Sequence, residues 1–112
     1  MKFGAFAAAL LFAAPAFAFD ERPYVGTWTG QTPTGAKAIA MTIPAGVSTG
    51  SSVTYSFDNQ DQGPQTPKVI GKRLRLDNPS GTYMIVGPPK KNRLPFFWTN
   101  GERKTTTVLV RQ

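Results

Sequence analysis

Short runs in which apolar and polar residues alternate make up most of the chain beyond residue 18, and glycine, proline, asparagine and aspartate separate them. Alternation with a period of two is typical of strands that bury one face, and no segment beyond residue 18 repeats apolar residues at helical spacing. The pattern predicts about eight strands, over residues 24–31, 37–43, 52–57, 66–70, 73–77, 82–86, 94–99 and 105–111. We therefore expect an all-β domain.

The turn signals between the strands narrow the architecture. Gly71-Lys72 has the spacing of a two-residue hairpin, after which Leu74 and Leu76 point inward and Arg75 points outward. Residues 58–67 are polar and are expected to form a long loop. Many short strands joined by tight turns favour a small antiparallel up-and-down barrel, with a β-sandwich as the alternative. The lack of crossover helices excludes a parallel sheet.

The first 18 residues differ from everything after them. Lys2 precedes an apolar run over residues 3–14, and Ala16-Phe17-Ala18 has the small-x-small pattern that signal peptidases accept. We expect a secretory signal peptide over residues 1–18 and a single mature domain over residues 19–112, exported by a bacterium to the periplasm or the medium, with no membrane span after cleavage. An uncleaved membrane anchor is the alternative for this segment.

Composition limits the chemistry. The chain has no cysteine and no histidine, which excludes a Ser-His-Asp triad, a Cys-His pair and a thiolate zinc site. Its six acidic residues do not pair within any apolar segment as a glycosidase acid and base would. Asp58, Gln60 and Gln62 alternate as calcium ligands do, but only one of them is charged. We expect no catalytic residues, no cofactor and no metal.

Charge is distributed unevenly between the two halves of the mature chain. The whole chain carries +7, and residues 19–67 contribute −2 whereas residues 68–112, with ten cationic and two acidic residues, contribute +8. Such an excess attracts phosphate-bearing or carboxylate-bearing partners, for example an anionic component of the bacterial envelope. The alternative is a solvated face that keeps the protein soluble. The candidate anion-binding residues are Arg73, Arg75, Lys90, Lys91, Arg93, Arg103 and Lys104.

Aromatic side chains suggest a second kind of site. Tyr55 and Phe57 alternate with Val53, and Phe96 and Trp98 alternate with Leu94, which places them toward the interior. They could line a cavity for a small apolar or ring-shaped ligand, although eight short strands enclose a space that their own side chains can fill. The candidate ligand-binding residues are Tyr55, Tyr83, Phe96 and Trp98, and Phe97 is expected on the outer surface.

Two short motifs carry a family resemblance. Val25-Gly26-Thr27-Trp28 resembles the Gly-x-Trp signature of the calycin superfamily, which includes the lipocalins and avidins. The resemblance implies that Trp28 closes one end of an up-and-down barrel and that an arginine near the last strand covers the indole. Arg111 has that position, so Trp28 and Arg111 are the candidate structural pair. Alternatively, Trp28 is an ordinary core residue of a sandwich.

These observations lead to one principal hypothesis and two alternatives. The principal hypothesis is an exported, non-catalytic binding module whose barrel mouth is formed by the turns near residues 90–93 and 103–104, with Tyr83, Phe96 and Trp98 inside. A protein-interaction module, such as an inhibitor of an exported hydrolase, would instead present loops or residues 19–24 and have a filled interior. A third possibility is purely electrostatic binding to anionic polymers. The export signal and the lack of a recognisable motif argue against specific nucleic-acid binding.

Overall fold

A computed structural model of the chain describes residues 19–112, and the segment predicted as a signal peptide or anchor, residues 1–18, lies outside the described residues. Between residues 19 and 112 no helix is long and apolar enough to cross a membrane. The described chain forms two 3-10 helices, Arg22–Tyr24 and Val47–Thr49, and nine strands: β1 (Gly26–Gln31), β2 (Ala38–Ile43), β3 (Val53–Phe57), β4 (Gln60–Gln65), β5 (Pro67–Ile70), β6 (Arg73–Asp77), β7 (Tyr83–Val86), β8 (Arg93–Thr99) and β9 (Lys104–Arg111).

All nine strands belong to one antiparallel sheet. Its order is β4-β3-β2-β1-β9-β8-β7-β6-β5, so every strand lies beside its neighbour in sequence except where β9 returns to pair with β1. The sheet curls into a nearly closed barrel. The prediction of an antiparallel barrel is confirmed, and the sandwich alternative is wrong because the strands form one sheet instead of two facing ones.

The barrel closes where β4 meets β5. Only Thr66 separates the two strands, and β4 pairs with β3 whereas β5 pairs with β6. The two edge strands of the sheet, β4 and β5, are therefore consecutive in the chain. Together they resemble one long strand that bends at Thr66, with its first half paired to β3 and its second half paired to β6. The buried Gln65 links this seam to the turn after β6, because its Nε2 donates to Asn78 Oδ1 at 3.1 Å.

The prediction of a loop over residues 58–67 is wrong. Asp58 and Asn59 have positive φ angles of 57° and 66° and make a tight turn, after which Gln60–Gln65 pairs with β3. Aspartate and asparagine tolerate this left-handed conformation better than other non-glycine residues. The strand was missed because β4 shows no apolar alternation and contains Gly63 and Pro64, so its pairing comes from its neighbour instead of its own hydrophobic pattern.

The interior of the barrel is filled by side chains from alternate positions. Leu74 and Leu76 are fully buried, whereas Arg73 on the same strand is exposed, as the alternation predicted. Each buried aliphatic side chain contributes about 1.5 to 3 kcal/mol relative to its exposed state. The core consists of Tyr24, Trp28, Ile39, Met41, Ile43, Val47, Val53, Tyr55, Leu74, Leu76, Met84, Val86, Leu94, Phe96 and Leu109.

A carboxylate holds the second 3-10 helix against the N-terminal segment. Glu21 accepts hydrogen bonds from the Gly46 amide at 2.6 Å and from the Ser48 amide and hydroxyl at 3.0 and 2.6 Å. The Ser48 hydroxyl is the largest cause that lowers the pKa of Glu21 below its usual range, followed by the two amides. These bonds fix the loop between β2 and β3, so that Val47 enters the core.

Candidate binding site at the open end of the barrel

One end of the barrel, here called the closed end, is covered by the first 3-10 helix. Tyr24 of this helix is buried, and its hydroxyl donates to the Lys72 carbonyl oxygen at 2.5 Å. Burial raises the pKa of Tyr24 to about 12. The Tyr24 ring lies over Gly87, where a Cβ atom would overlap the tyrosine oxygen and ring. Glycine is therefore required at residue 87 for this end to close.

Trp28 and Arg111 complete the closed end. The Arg111 guanidinium carbon lies 4.3 Å from the centroid of the Trp28 ring, which is the contact that the family resemblance implied. The indole Nε1 donates to the Tyr24 carbonyl at 2.9 Å, and Arg111 donates to the carbonyls of Pro23, at 2.7 Å, and Val25. The arginine thus joins the last strand to the segment that leads into β1.

The opposite end, here called the open end, carries a broad cleft of about 880 Å³ between the β1–β2 turn and the β8–β9 turn. Its apolar wall includes Trp98 and Phe57, which are only half-buried although both point inward from their strands. Its three charged lining residues, Lys37, Arg103 and Lys104, are all cationic. We call this feature the rim cleft.

Trp98 and Phe57 form the boundary between the rim cleft and the core. One inward position deeper on the same strands are Phe96 and Tyr55, whose rings are nearly parallel at a centroid distance of 6.3 Å. Both are buried, and burial raises the pKa of Tyr55 to about 12. A ligand in the cleft can therefore contact Trp98 directly, whereas Tyr55 and Phe96 lie beneath it as packed core.

A rigid hairpin turn positions Arg103 at the rim. Asn100 Oδ1 accepts from the Glu102 and Arg103 amides at 3.0 and 2.7 Å, and Thr99 Oγ1 donates to the Arg103 carbonyl at 2.8 Å. Gly101 has a φ of 97°, which explains the Asn-Gly pair that marked this turn in the sequence. Hydrogen bonds that involve the side chains of Thr99 and Asn100 thus hold this turn together.

On the other side of the cleft, Lys37 forms an ion pair with Asp58 at 3.2 Å, and both side chains are about half exposed. This pair joins the β1–β2 turn to the β3–β4 turn. The alternation of Val53, Tyr55 and Phe57 placed Phe57 toward the interior, and it does line the cleft. The sequence reasoning did not select Lys37, because no local signal brings it to the same end as Trp98.

The structure separates the predicted anion-binding residues into three places. Arg103 and Lys104 lie at the rim cleft, Lys90, Lys91 and Arg93 lie at the other end of β8, and Arg73 and Arg75 lie on the outer face of β6. The expectation that residues 90–93 and 103–104 share a mouth is wrong. Seven residues of β8 separate these turns, which is about 20 Å of extended chain.

The predicted position of Tyr83 inside the barrel is also wrong. Met84 and Val86 occupy the inward positions of β7, so Tyr83 falls on the outer face. There the Arg75 guanidinium carbon lies 3.9 Å from the centroid of its ring, and Phe97 lies at a centroid distance of 6.2 Å. Of the four candidate ligand-binding residues, only Trp98 lines the rim cleft.

Residues 19–112 bring no group of three or more acidic side chains together in a way that would hold a metal ion. Near the segment that superficially resembled a calcium loop, Asp61 Oδ1 accepts from the Gly63 amide at 2.8 Å within β4. No family model, no curated protein and no solved structure matches the chain. Inferences about its function therefore depend on the geometry just described.

Proposed function

We propose that this protein is an exported binding module that holds a small anionic ligand with an aromatic or other planar apolar part in the rim cleft. The observation that carries the proposal is the half-exposed Trp98 beside Arg103 and Lys104. An indole face and a nearby guanidinium suit a ring that carries a carboxylate or phosphate group. The protein acts by binding and not by catalysis.

The calycin resemblance supports this proposal. The chain combines an up-and-down strand order, a Gly-x-Trp segment and an arginine over the tryptophan at the closed end. Lipocalins and avidins bind small molecules at the open end of their barrels, and we assign this chain to a minimal form of that architecture. Because the core below Trp98 is packed, the ligand lies on the rim instead of deep in the barrel. The apolar segment over residues 3–14 and the Ala16-Phe17-Ala18 site support export of the proposed module to the periplasm or the medium of a bacterium.

Binding of 8-anilinonaphthalene-1-sulfonate, a planar aromatic anion whose fluorescence rises in apolar sites, tests the proposal. Trp98→Ala should weaken its binding about tenfold or more, because removal of the indole exposes the bound ring to water. Urea unfolding of the same variant separates lost binding from lost folding. If binding and stability fall together, or if the variant binds as the parent does, the rim cleft is not the ligand site.

A matched pair of double variants tests the charged part of the site. Arg103→Gln with Lys104→Gln removes two charges from the rim, whereas Lys90→Gln with Lys91→Gln removes two charges from the other end of the barrel. We expect only the first pair to weaken binding of the sulfonate severalfold. If the attraction were only long-range, both pairs would weaken binding by about the same amount. Equal losses in both pairs would contradict a local anion site.

The filled interior favours a second candidate, a protein-interaction module such as a hydrolase inhibitor. In that role the ordered β8–β9 turn, with Arg103 at its end, would enter a partner's cleft. Residues 19–24 are not free for it, because Tyr24 is buried and bonded to Lys72. Native mass spectrometry of the protein isolated gently from its host distinguishes the two candidates: a small added mass supports the rim ligand, and a co-purifying protein supports the inhibitor.

A further inference from the structure

The two sides of the barrel have different outer surfaces. The outward positions of β1, β2 and β3 carry only small or uncharged polar side chains, namely Thr27, Thr29, Gln31, Ala38, Ala40, Thr42, Thr54 and Ser56. Away from the rim cleft, the outward positions of β5 to β9 instead combine apolar and cationic residues with one carboxylate, Asp77. This set, here called the outer face, consists of Lys68, Ile70, Arg73, Arg75, Asp77, Tyr83, Ile85, Arg93, Pro95, Phe97, Val108 and Val110.

Apolar side chains are unusually exposed on the outer face. Ile70, Val108 and Val110 retain 46%, 43% and 45% of their accessible surface. Ile85 and Phe97 are half-buried and line a groove of about 350 Å³ that also includes Arg73. An antiparallel sheet that faces water normally carries polar residues at such positions. A patch of this kind marks a surface that contacts something apolar.

Positive charge surrounds this apolar surface. Away from the rim cleft, Lys68, Arg73, Arg75 and Arg93 are its cations and Asp77 is its carboxylate. Asp77 is engaged by Arg75 at 3.0 Å and by Lys68 at 3.8 Å. The Arg73 and Arg93 side chains form no ion pair with any acidic residue in the described part of the chain. Both guanidinium groups are therefore available to an external anion.

Aromatic residues lie between the cations and the apolar groups. Tyr83 packs between Arg75, at 3.9 Å, and Phe97, at 6.2 Å. Tyrosine and phenylalanine rings next to arginine are well suited to the boundary between phosphate headgroups and acyl chains, where an apolar and a charged environment lie within a few ångströms. Cations on β6 and β8 thus lie next to apolar and aromatic side chains on β7, β8 and β9.

We propose that the outer face binds the surface of an anionic phospholipid bilayer. The cations contact lipid phosphates, and Phe97, Val108 and Val110, which lie on the neighbouring strands β8 and β9, enter the region just below the headgroups, without any segment crossing the membrane. An acidic protein would complement the charge, but it would leave much of the spread-out apolar surface without a matching partner. This inference is independent of the rim cleft and uses different residues.

Sedimentation with vesicles tests the proposal on protein purified from cells that express the full chain, with its N-terminus established by intact mass. Vesicles of equal parts phosphatidylglycerol and phosphatidylcholine should bind the protein about tenfold or more tightly than vesicles of phosphatidylcholine alone, because several cations meet the anionic surface together. Binding should weaken as salt rises. Equal binding to both vesicle types would overturn the proposal.

Matched variants locate the contact. Arg73→Gln with Arg93→Gln should reduce binding to the anionic vesicles about tenfold, whereas Arg22→Gln with Lys37→Gln, which removes two charges from outside the outer face, should change it less than about twofold. Val108→Thr with Val110→Thr keeps the side-chain shape and the strand propensity, and should lower binding severalfold. Equal losses in the two charge pairs, or no loss with the threonines, would show that general charge attraction alone acts.

Two further measurements complete the test. If soluble poly-glutamate binds through Arg73 and Arg93 while vesicles do not sediment the protein, the partner is an acidic polypeptide and the lipid proposal is overturned. Trp98→Ala, which tests the rim cleft, should leave vesicle binding unchanged. The Arg73 and Arg93 pair should leave binding of the sulfonate probe unchanged, so failure of one proposal is distinguishable from failure of the other.

Discussion

The contact between Arg111 and Trp28 predicts a large effect from one substitution at the end of the chain. Arg111→Met keeps the aliphatic stem over the indole but removes the guanidinium. The variant loses two hydrogen bonds from a charged donor to the carbonyls of Pro23 and Val25, each about 1.5 to 3 kcal/mol. It also loses a cation–π contact of about 0.5 to 2 kcal/mol.

These contributions are not additive, and the guanidinium is partly exposed, so we expect a decrease of about 2 to 4 kcal/mol in the free energy of unfolding. A domain of this size has about 5 to 10 kcal/mol in total. With a urea dependence of about 1 to 1.5 kcal/mol per molar, the midpoint should fall by about 1.3 to 4 M. Arg111→Lys keeps a charge over the ring but not the two-pronged bonding, and should fall between the parent and the methionine variant.

Urea unfolding followed by tryptophan fluorescence measures this effect. A Trp98→Phe background leaves Trp28 as the reporter, since the chain has two tryptophans. Arg22→Met is the matched control, because the Arg22 side chain is 87% exposed and forms a surface ion pair with the neighbouring Asp20. If Arg111→Met and Arg22→Met lower stability by amounts within about 0.5 kcal/mol of each other, Arg111 does not hold the closed end.

Three further predictions concern the closed end and the core. Gly87→Ala should cost about 2 to 4 kcal/mol, because its Cβ would overlap the Tyr24 ring, whereas Gly101→Ala, at a similar φ in open space, should cost about 1 kcal/mol in thermal unfolding. Hydrogen bonds, of which the one from the Ser48 hydroxyl has the largest effect, hold the pKa of Glu21 below 4.5. The stabilisation that they provide is present above pH 4.5, and the free energy of unfolding should decrease as the pH falls below that value. Glu21→Gln should make this decrease smaller in unfolding experiments between about pH 3 and 6. Burial raises the pKa of Tyr24 and Tyr55 to about 12. Their contribution to the free energy of unfolding is therefore complete below pH 10 and should decrease between pH 10 and 12. Phenolate absorbance at 295 nm should appear when the protein unfolds in this range.

The alternation of apolar residues predicted most of the fold because each strand with one buried face reports its own orientation. Leu74 and Leu76 are buried and Arg75 faces outward, and Phe96 and Trp98 point inward as expected. Strand β4 escaped this reasoning, since both of its faces are largely exposed and its pairing depends on β3. A strand whose pattern is set by a neighbour has no signal of its own.

The candidate site was only partly predictable for a related reason. Trp98, Arg103 and Lys104 were selected correctly as neighbours, because they are close in sequence around one hairpin. Residues 90–93 were grouped with them by charge, although turns before and after a single strand lie at its opposite ends. Lys37 lies in the turn after β1, and it is near the β8–β9 turn only because β9 pairs with β1. No local sequence pattern predicts that long-range pairing.

The division between a closed and an open end has a consequence for where a ligand can bind. Displacing Tyr24 or Arg111 would break hydrogen bonds to the carbonyls of Lys72 and Pro23, and would leave polar groups without partners at the closed end. Covering Trp98 and Phe57 breaks no hydrogen bond of the described structure, and it removes apolar surface from water at about 25 cal/mol per Å². The proposed binding at the rim would therefore add to the stability of the fold, because a ligand that binds only the folded chain raises the free energy of unfolding. Because hydrogen bonds hold the closed end together, the open end is where a ligand can bind with the smallest loss of contacts within the protein.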